Sequence, residues 1–185
     1  MKGGYHAIAM TINKEDTIRL SGVVGDSIVD GPGLRMTIFT QGCPHHCEGC
    51  HNPQTHDFSV GYDETVASLL EKLKSDPLQC GVTLSGGEPF CQAGPLVGLC
   101  REVRALGKNV WAYSGYTFEE LTGPAAPPHA GELLALCDVL IDGRFLLEER
   151  DLTLTFRGSR NQRVIDVQKS LAEGRVILYP IEDFH

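Results

Sequence analysis

The sequence contains no long apolar run and no surplus of basic residues. No stretch reaches the roughly 18 apolar residues of a membrane span, and residues 1–10 lack the sustained apolar stretch of a secretory signal. The 16 basic and 24 acidic side chains give a formal net charge of −8, whereas nucleic-acid-binding proteins usually carry a basic stripe. We therefore expect a cytoplasmic protein that has neither a membrane nor a nucleic acid as its partner.

A disulfide framework is not indicated either, although the chain contains seven cysteines. An odd number of cysteines without an export signal argues against disulfide pairing. Reduced thiols serve as small buried hydrophobes, metal ligands or nucleophiles, and their spacing distinguishes these uses. Four cysteines are isolated in the sequence: Cys80, Cys91, Cys100 and Cys137. We expect most of these four to be buried packing residues.

Short apolar runs alternate with helical patterns along the 185 residues. The predicted strands are 35–40, 81–84, 109–113, 138–141 and 176–179, and the predicted helices are 63–74 (with Asp63 as N-cap), 95–106, 117–121, 129–136 and 168–172. Such alternation predicts an α/β fold with a parallel sheet. A complete eight-stranded barrel needs about 250 residues. We therefore expect a single domain, residues 1–185 with a core of about 21–180, that forms an incomplete, open parallel β/α barrel of about five or six units.

Three cysteines directly follow the first predicted strand. Cys43, Cys47 and Cys50 are spaced four and three residues apart, and Gly and Pro residues between and around them favour a loop wrapped around a ligand. Ordinary [4Fe–4S] clusters are held by four cysteine thiolates. Three local ligands would leave one iron open to an outside ligand, which is typical of a reactive site rather than a structural one.

Zinc is the main alternative for this loop. His45, His46 or His51 could supply the fourth ligand of a zinc site. Structural zinc sites favour paired CxxC knuckles, however, and the sequence contains one such pair, at 47–50. The pattern therefore favours an iron–sulfur cluster over zinc or over three unliganded cysteines.

A glycine-rich turn, Ser85-Gly86-Gly87-Glu88-Pro89, follows the next predicted strand. Two glycines allow the backbone to approach a ligand closely, although a plain turn is the alternative. The turn is not a P-loop, because no Lys-Ser or Lys-Thr pair follows it. Since ligands bind beyond the carboxyl ends of parallel strands, we expect this turn to lie beside the cysteine loop.

Together, the cysteine spacing and the glycine-rich turn resemble the radical S-adenosylmethionine superfamily. Asp30-Gly31-Pro32-Gly33-x-Arg35 resembles the glycyl-radical-enzyme activases within it. Segments 113–121 (YSGYTFEEL), 141–145 (IDGRF) and 158–166 (GSRNQRVID) are similar to the activases of anaerobic ribonucleoside-triphosphate reductase. The resemblance covers about residues 21–167. Gly49 departs from the superfamily, in which an aromatic residue commonly precedes the third cysteine and packs near adenine.

The resemblance implies an enzyme that reductively cleaves S-adenosylmethionine at a [4Fe–4S] cluster to methionine and a 5′-deoxyadenosyl radical. That radical would take a hydrogen atom from a glycine of the large subunit of anaerobic ribonucleotide reductase. A low-potential electron donor such as flavodoxin or ferredoxin is the second implied partner. The implied metal ligands are Cys43, Cys47 and Cys50. The implied S-adenosylmethionine contacts are Gly49, Cys50, His51, Ser85, Gly86, Gly87, Glu88, Ser114, Asp142 and Arg144.

Several alternatives remain open at the level of sequence. The chain could be an activase of another glycyl radical enzyme, a radical enzyme acting on a small molecule, such as a deazapurine-forming synthase, or a non-catalytic zinc or electron-carrying module. Asp142 and Arg144 could instead form a surface ion pair, worth about 0–1 kcal/mol. The basic run 157–163 could be a solvated turn or a contact to the reductase.

Overall fold

The computed structural model describes residues 16–183, so the expectation that residues 1–10 are not a secretory signal lies outside the described residues. The strands are β1 Thr17–Ser27, β2 Arg35–Thr40, β3 Tyr62–Thr65, β4 Gly81–Gly86, β5 Asn109–Tyr113, β6 Val139–Asp142 and β7 Arg163–Asp166. The helices are α1 Val66–Ser75, α2 Ala93–Ala105, α3 Phe118–Thr122, α4 Ala130–Leu136 and α5 Val167–Glu173.

All seven strands form one sheet in the order β3-β1-β2-β4-β5-β6-β7. The four central strands, β2, β4, β5 and β6, are parallel, whereas β1, β3 and β7 pair in antiparallel orientation. The predicted α/β class with a parallel sheet is confirmed, and the sheet is open because β3 and β7 are its two edges. Within residues 16–183, the parallel part of the sheet has four strands. The other three strands, β1, β3 and β7, extend it on its two sides in antiparallel orientation.

Some element boundaries differ from the sequence prediction. The strand predicted at 176–179 is wrong, because only the isolated bridge between Ile165 and Leu178 forms there. Asp63 lies in β3 and is not an N-cap; helix α1 is instead capped by Thr65, whose Oγ1 accepts from the Ser68 N–H at 3.1 Å. The short or glycine-containing strands β1, β3 and β7 were missed because they are stabilised by pairing rather than by a local apolar run.

The helices cover one face of the sheet. Alternate strand side chains such as Leu84 and Ala112 are buried beneath them in the main core. On the opposite face, the Arg35 guanidinium is fully buried, donates to Thr83 Oγ1 at 2.7 Å and lies 5.5 Å from the Trp111 ring centroid. Burial lowers the pKa of Arg35 to about 10. This second face of the sheet therefore carries polar as well as aromatic side chains.

Two of the four isolated cysteines are packing residues, as predicted. Cys100 and Cys137 are fully buried in the main core, and burial raises the pKa of both thiols. For Cys80 and Cys91 the prediction is wrong, because both are exposed. Within residues 16–183, no helix has the length and apolar character needed to cross a membrane.

Candidate functional site

A cavity of about 670 Å³ lies on the face of the sheet that the helices leave uncovered. Its lining includes Phe39, Ser85 and Tyr113, which alternate with strand residues buried under the helices. Nine of the twelve predicted site residues line it: Cys43, Cys47, Cys50, His51, Ser85, Gly86, Gly87, Ser114 and Arg144. The fold thus brings the cysteine loop, the glycine-rich turn and the ends of β5 and β6 together at one place.

The cysteine loop leaves the carboxyl end of β2 and is fixed at its start by backbone hydrogen bonds. The Gly42 N–H donates to the Thr55 carbonyl at 2.8 Å, and the Cys43 N–H donates to the His56 carbonyl at 3.1 Å. Gly42 has φ 96° and lies under Phe58, whose ring atom Cδ1 would be 2.2 Å from an added Cβ. Glycine is therefore required where the loop turns away from the strand.

Backbone N–H groups lie near the sulfur atoms of Cys43 and Cys50 and can support a bound thiolate there. Cys43 is buried, and burial raises the pKa of its thiol, while backbone N–H groups of His45 and His46 oppose that rise. The Asn52 N–H donates to Cys50 Sγ at 3.4 Å. Thiols that coordinate a metal are deprotonated, and hydrogen bonds to sulfur tune iron–sulfur clusters. Three thiols facing one cavity with such donors fit a [4Fe–4S] cluster.

Of the histidines considered as zinc ligands, His45 has a ring nitrogen engaged by a carboxylate, and His46 and His51 have ring contacts. His45 Nε2 lies 2.9 Å from Glu88 Oε2. The rings of His46 and His56 pack edge to face at 5.1 Å, and the His51 ring lies 4.9 Å from Phe145. Within residues 16–183, no three His, Cys, Asp or Glu side chains are grouped as ligands of a single metal ion.

The glycine-rich turn packs directly on the cysteine loop. The Gly87 N–H donates to the Thr40 carbonyl and the Glu88 N–H to the Gly42 carbonyl, both at 2.8 Å. A Cβ at Gly86 would lie 2.7 Å from the backbone of Phe39, and one at Gly87 would lie 2.4 Å from the Gly42 carbonyl oxygen. The two glycines therefore allow the ends of β2 and β4 to approach each other, in addition to lining the cavity.

Glu88 is fully buried, and its carboxylate makes several hydrogen bonds. The carboxylate accepts from Ser114 Oγ (3.0 Å), the Gly115 N–H (2.8 Å) and the Phe90 N–H (3.0 Å), and Oε2 lies 2.9 Å from His45 Nε2. Glu88 does not line the cavity. It joins the cysteine loop, the glycine-rich turn and the end of β5.

The predicted residues at the ends of β5 and β6 differ in their surroundings. Ser114 lines the cavity, but its hydroxyl donates to Glu88. Asp142 is buried and accepts from Arg163 Nε at 3.0 Å and from the Phe118 N–H at 2.8 Å. Arg144 is exposed and lines both the main cavity and a neighbouring one of about 550 Å³. The ion-pair partner of Asp142 is thus Arg163 rather than Arg144.

Phe145 lines the cavity, although it is not among the cofactor contacts predicted from the sequence. It also packs against His51. Gly49, at φ 71°, does not line the cavity; an added Cβ would lie 2.9 Å from Leu147 Cδ1 and 3.4 Å from the Phe145 ring. An aromatic residue therefore stands beside the third cysteine, although it comes from the end of β6. Phe145 belongs to segment 141–145, which carried the family resemblance, but only the fold brings it next to position 49.

Segment 158–162 anchors the loop that carries Phe145. Gln162 Nε2 donates to the Gly143 carbonyl at 3.0 Å, Asn161 Nδ2 donates to the Arg144 carbonyl at 2.8 Å, and Ser159 Oγ accepts from the Leu146 N–H at 3.2 Å. The basic side chains of the run 157–163 pair with carboxylates of the chain: Arg157 with Asp183, Arg160 with Asp151 and Arg163 with Asp142. A contact to the reductase stays a prediction.

Comparison with known proteins agrees with this arrangement. The model of the 4Fe-4S single cluster domain family matches residues 29–165. Proteins named anaerobic ribonucleoside-triphosphate reductase-activating protein are 36% identical in Vibrio cholerae (73% of this chain, 89% of that protein) and 35% identical in Enterobacteria phage T4 (74% and 86%).

Among solved structures, QueE from Escherichia coli aligns over 68% of this chain and 70% of its own, with 16% identity and a TM-score of 0.46. The sequence relatives and the matched domain decide the family. This chain belongs to the anaerobic ribonucleoside-triphosphate reductase-activating proteins, a family of enzymes with a 4Fe–4S domain.

Proposed function

We propose that this protein activates an anaerobic ribonucleotide reductase by generating a glycyl radical on its large subunit. The observation that carries the proposal is the joint placement of Cys43, Cys47 and Cys50 on the wall of one cavity. That cavity also receives the glycine-rich turn of β4 and the ends of β5 and β6. Membership of the activating-protein family supports the same conclusion.

Cys43, Cys47 and Cys50 would hold a [4Fe–4S] cluster through their thiolates. Three ligands satisfy three irons, so the fourth is available to S-adenosylmethionine, the second cofactor that we propose. When bound, this pair supplies the electron transfer that cleaves S-adenosylmethionine to methionine and a 5′-deoxyadenosyl radical, which takes a hydrogen atom from the glycine.

The residues around the thiols would bind and orient S-adenosylmethionine. The backbone of Ser85, Gly86 and Gly87 lines the cavity beside the cysteine loop and would face the amino group. Arg144 presents an exposed guanidinium, a group suited to a carboxylate. The Ser114 hydroxyl donates to Glu88 and accepts from the Tyr116 N–H, so its remaining lone pair would accept from a ribose hydroxyl rather than bind the carboxylate.

The adenosyl part would lie against the backbone of residues 49–51. Cys50 and His51 line the cavity there, and the Phe145 ring adds an apolar wall. Such a ring contributes about 0.5–1.5 kcal/mol when another aromatic ring packs on it. Phe145 would therefore do what an aromatic residue at position 49 does elsewhere in the superfamily.

We propose a positioning role for Glu88 and Asp142 rather than a direct cofactor contact. The Glu88 carboxylate is bonded to protein groups from four separate positions of the chain. Asp142 is bonded to Arg163, which also pairs with Glu119 at 2.7 Å. Both carboxylates fix the backbone at strand ends, so they determine where the cavity-lining residues lie.

The cavity also has walls that suit radical chemistry. Phe39, Tyr113 and Phe156 line it, and these rings limit the access of water and of other hydrogen donors. Burial raises the pKa of Tyr113, so this phenol stays neutral. Hydrogen-atom transfer needs no acid–base pair, and the proposed chemistry assigns none to the chain.

An electron donor of low potential, such as flavodoxin or ferredoxin, completes the proposal. We place the reaction in the cytoplasm. All seven cysteines lie within the described residues and are free thiols, as a reducing compartment requires.

The test is anaerobic purification followed by mixing with S-adenosylmethionine, a reductant and the cognate reductase. We expect about four irons per chain, formation of 5′-deoxyadenosine and a glycyl radical doublet in electron paramagnetic resonance. Cys47→Ala should lose all three, whereas Cys80→Ala, which changes an exposed cysteine outside the cavity, should keep them. A colourless zinc protein would refute the proposal; cleavage without a radical on the reductase would favour a small-molecule substrate or another glycyl radical enzyme.

A further inference from the structure

Two apolar segments border the cavity. The first lip is residues 24–30, the end of β1 and the start of its connection to β2; the second lip is residues 152–158, in the connection from β6 to β7. Val24 and Val29 of the first lip and Leu154 and Phe156 of the second line the cavity. In the sheet, β2, β4 and β5 separate β1 from β6, so the two lips come from strands that are not neighbours.

Both lips also expose large apolar side chains next to those that line the cavity. Ile28 is 72% exposed, Val29 71% and Leu152 81%. Single exposed apolar residues are common on protein surfaces and need no explanation. Here they lie on two segments that converge on one cavity, and grouped apolar exposure of this kind marks interaction sites.

The first lip is held firmly despite its exposure. The Asp30 carboxylate accepts from Thr37 Oγ1 at 3.0 Å and from Ser27 Oγ, and the Asp30 carbonyl accepts from Thr83 Oγ1 at 2.8 Å. Gly31, at φ 142°, lies against Arg35, with an added Cβ only 2.8 Å from Cδ. The Asp-Gly-Pro-Gly-x-Arg segment therefore fixes this lip against β2 and β4, and Ile28 and Val29 face solvent from a constrained backbone.

The second lip is anchored independently. The Phe156 ring packs edge to face on Trp111 at a centroid distance of 5.4 Å. The Thr155 N–H donates to Asp183 Oδ1 at 2.9 Å, and Arg157 pairs with the same carboxylate. Binding to two preordered lips costs less conformational entropy than binding to mobile loops.

We infer that the two lips form the docking surface for the glycine-bearing segment of the reductase, which lies across the cavity with apolar side chains on both lips. This inference rests on the proposed function. The reacting glycine belongs to a macromolecule, so its chain must enter and leave the cavity over whatever borders it. The lips are continuous with the cavity lining, which makes them the surface that such a chain would meet.

The test compares Ile28→Asp and Leu152→Asp, singly and together, in the reconstituted holoprotein. Neither residue lines the cavity, so both side chains can change without altering the cofactor surroundings. The control is Leu171→Asp, an exposed leucine on α5, which packs on the other face of the sheet. Each variant is assayed for affinity to the cognate reductase, for 5′-deoxyadenosine formed without reductase, and for glycyl radical yield.

We expect each lip variant to bind the reductase about tenfold more weakly, and the double variant about a hundredfold more weakly. Glycyl radical yield should fall in parallel, while 5′-deoxyadenosine formed without reductase stays within about twofold of the parent and Leu171→Asp behaves as the parent does. Unchanged affinity of the double variant for the reductase would overturn the inference. So would a double variant that keeps its affinity for the reductase but no longer associates with itself, because the lips would then bind a second copy of this chain. A parent that forms no 5′-deoxyadenosine would instead refute the proposed function, and the affinity series would still test the lips.

Discussion

Replacing Glu88 with Gln tests whether this carboxylate holds the site together. Glu88 Oε1 accepts from the Phe90 N–H and Oε2 from the Gly115 N–H, and both acceptors lie in a fully buried side chain. A glutamine amide has one oxygen and one NH₂ group in the same space. Whichever way the amide is turned, one of the two backbone N–H groups loses its acceptor.

The expected cost follows from that geometry. A buried donor left without an acceptor costs about 1–3 kcal/mol, and bonds to Ser114 and His45 change from a charged acceptor to a neutral group. We expect Glu88→Gln to lower the free energy of unfolding by about 2–4 kcal/mol. With a urea m-value of about 2 kcal/mol/M, the midpoint of unfolding should fall by about 1–2 M.

The assay is anaerobic urea unfolding of the metal-free protein, followed by measurement of bound iron after reconstitution. Iron content should fall as well, because Glu88 connects the glycine-rich turn to the cysteine loop through His45. The matched control is Glu71→Gln, which changes an exposed glutamate on α1. It should change the free energy of unfolding by less than about 0.5 kcal/mol. If Glu88→Gln unfolds at the parent's midpoint and binds the parent's amount of iron, the reasoning is refuted.

Three further perturbations follow from the same structure. Gly115→Ala would place a Cβ 2.2 Å from the His45 ring, so we expect lower stability by about 1–3 kcal/mol and less bound iron; parental values in both would contradict the packing argument. Phe145→Ala should weaken S-adenosylmethionine binding about 2- to 13-fold by equilibrium dialysis, with Tyr62→Ala, an exposed aromatic residue outside the cavity, as the control; equal affinities would exclude Phe145 from the adenosyl subsite. Asp166→Ala removes the N-cap of α5 and should cost about 1 kcal/mol at pH 7. Because the Lys169 side chain lowers the pKa of Asp166, the carboxylate's contribution is present above its unfolded pKa and lost as pH falls through the lower folded value. The stability difference between parent and Asp166→Ala should therefore shrink in strong acid, and a difference that grew would contradict the assignment.

The parallel strands and most helices could be predicted because each carries a local signal. β2 and β5 are apolar runs with clear boundaries, and their predicted limits, 35–40 and 109–113, are those observed. β1 and β7 have no such signal. β1 contains two glycines and exposed residues, and its conformation depends on its pairing with β2 and β3.

The candidate site likewise combines residues that the sequence could identify with contacts that it could not. Cys43, Cys47 and Cys50 are close in the chain, so their spacing alone indicated a shared ligand, and they do line one cavity. Glu88 and Asp142 belong to recognisable motifs, but their partners are 43 and 21 residues away in the cases of His45 and Arg163. Whether a carboxylate faces a ligand or the protein depends on such distant groups, and no local pattern reveals it.

The sequence by itself predicted the ligand chemistry, because three thiols spaced four and three residues apart are close along the chain. Only the tertiary structure decided which wall each remaining residue occupies. It brought Phe145 beside Gly49, buried Glu88 inside the protein and brought the two apolar lips to one cavity. These contacts join residues far apart in the chain, and their positions follow from strand order and from packing across the sheet.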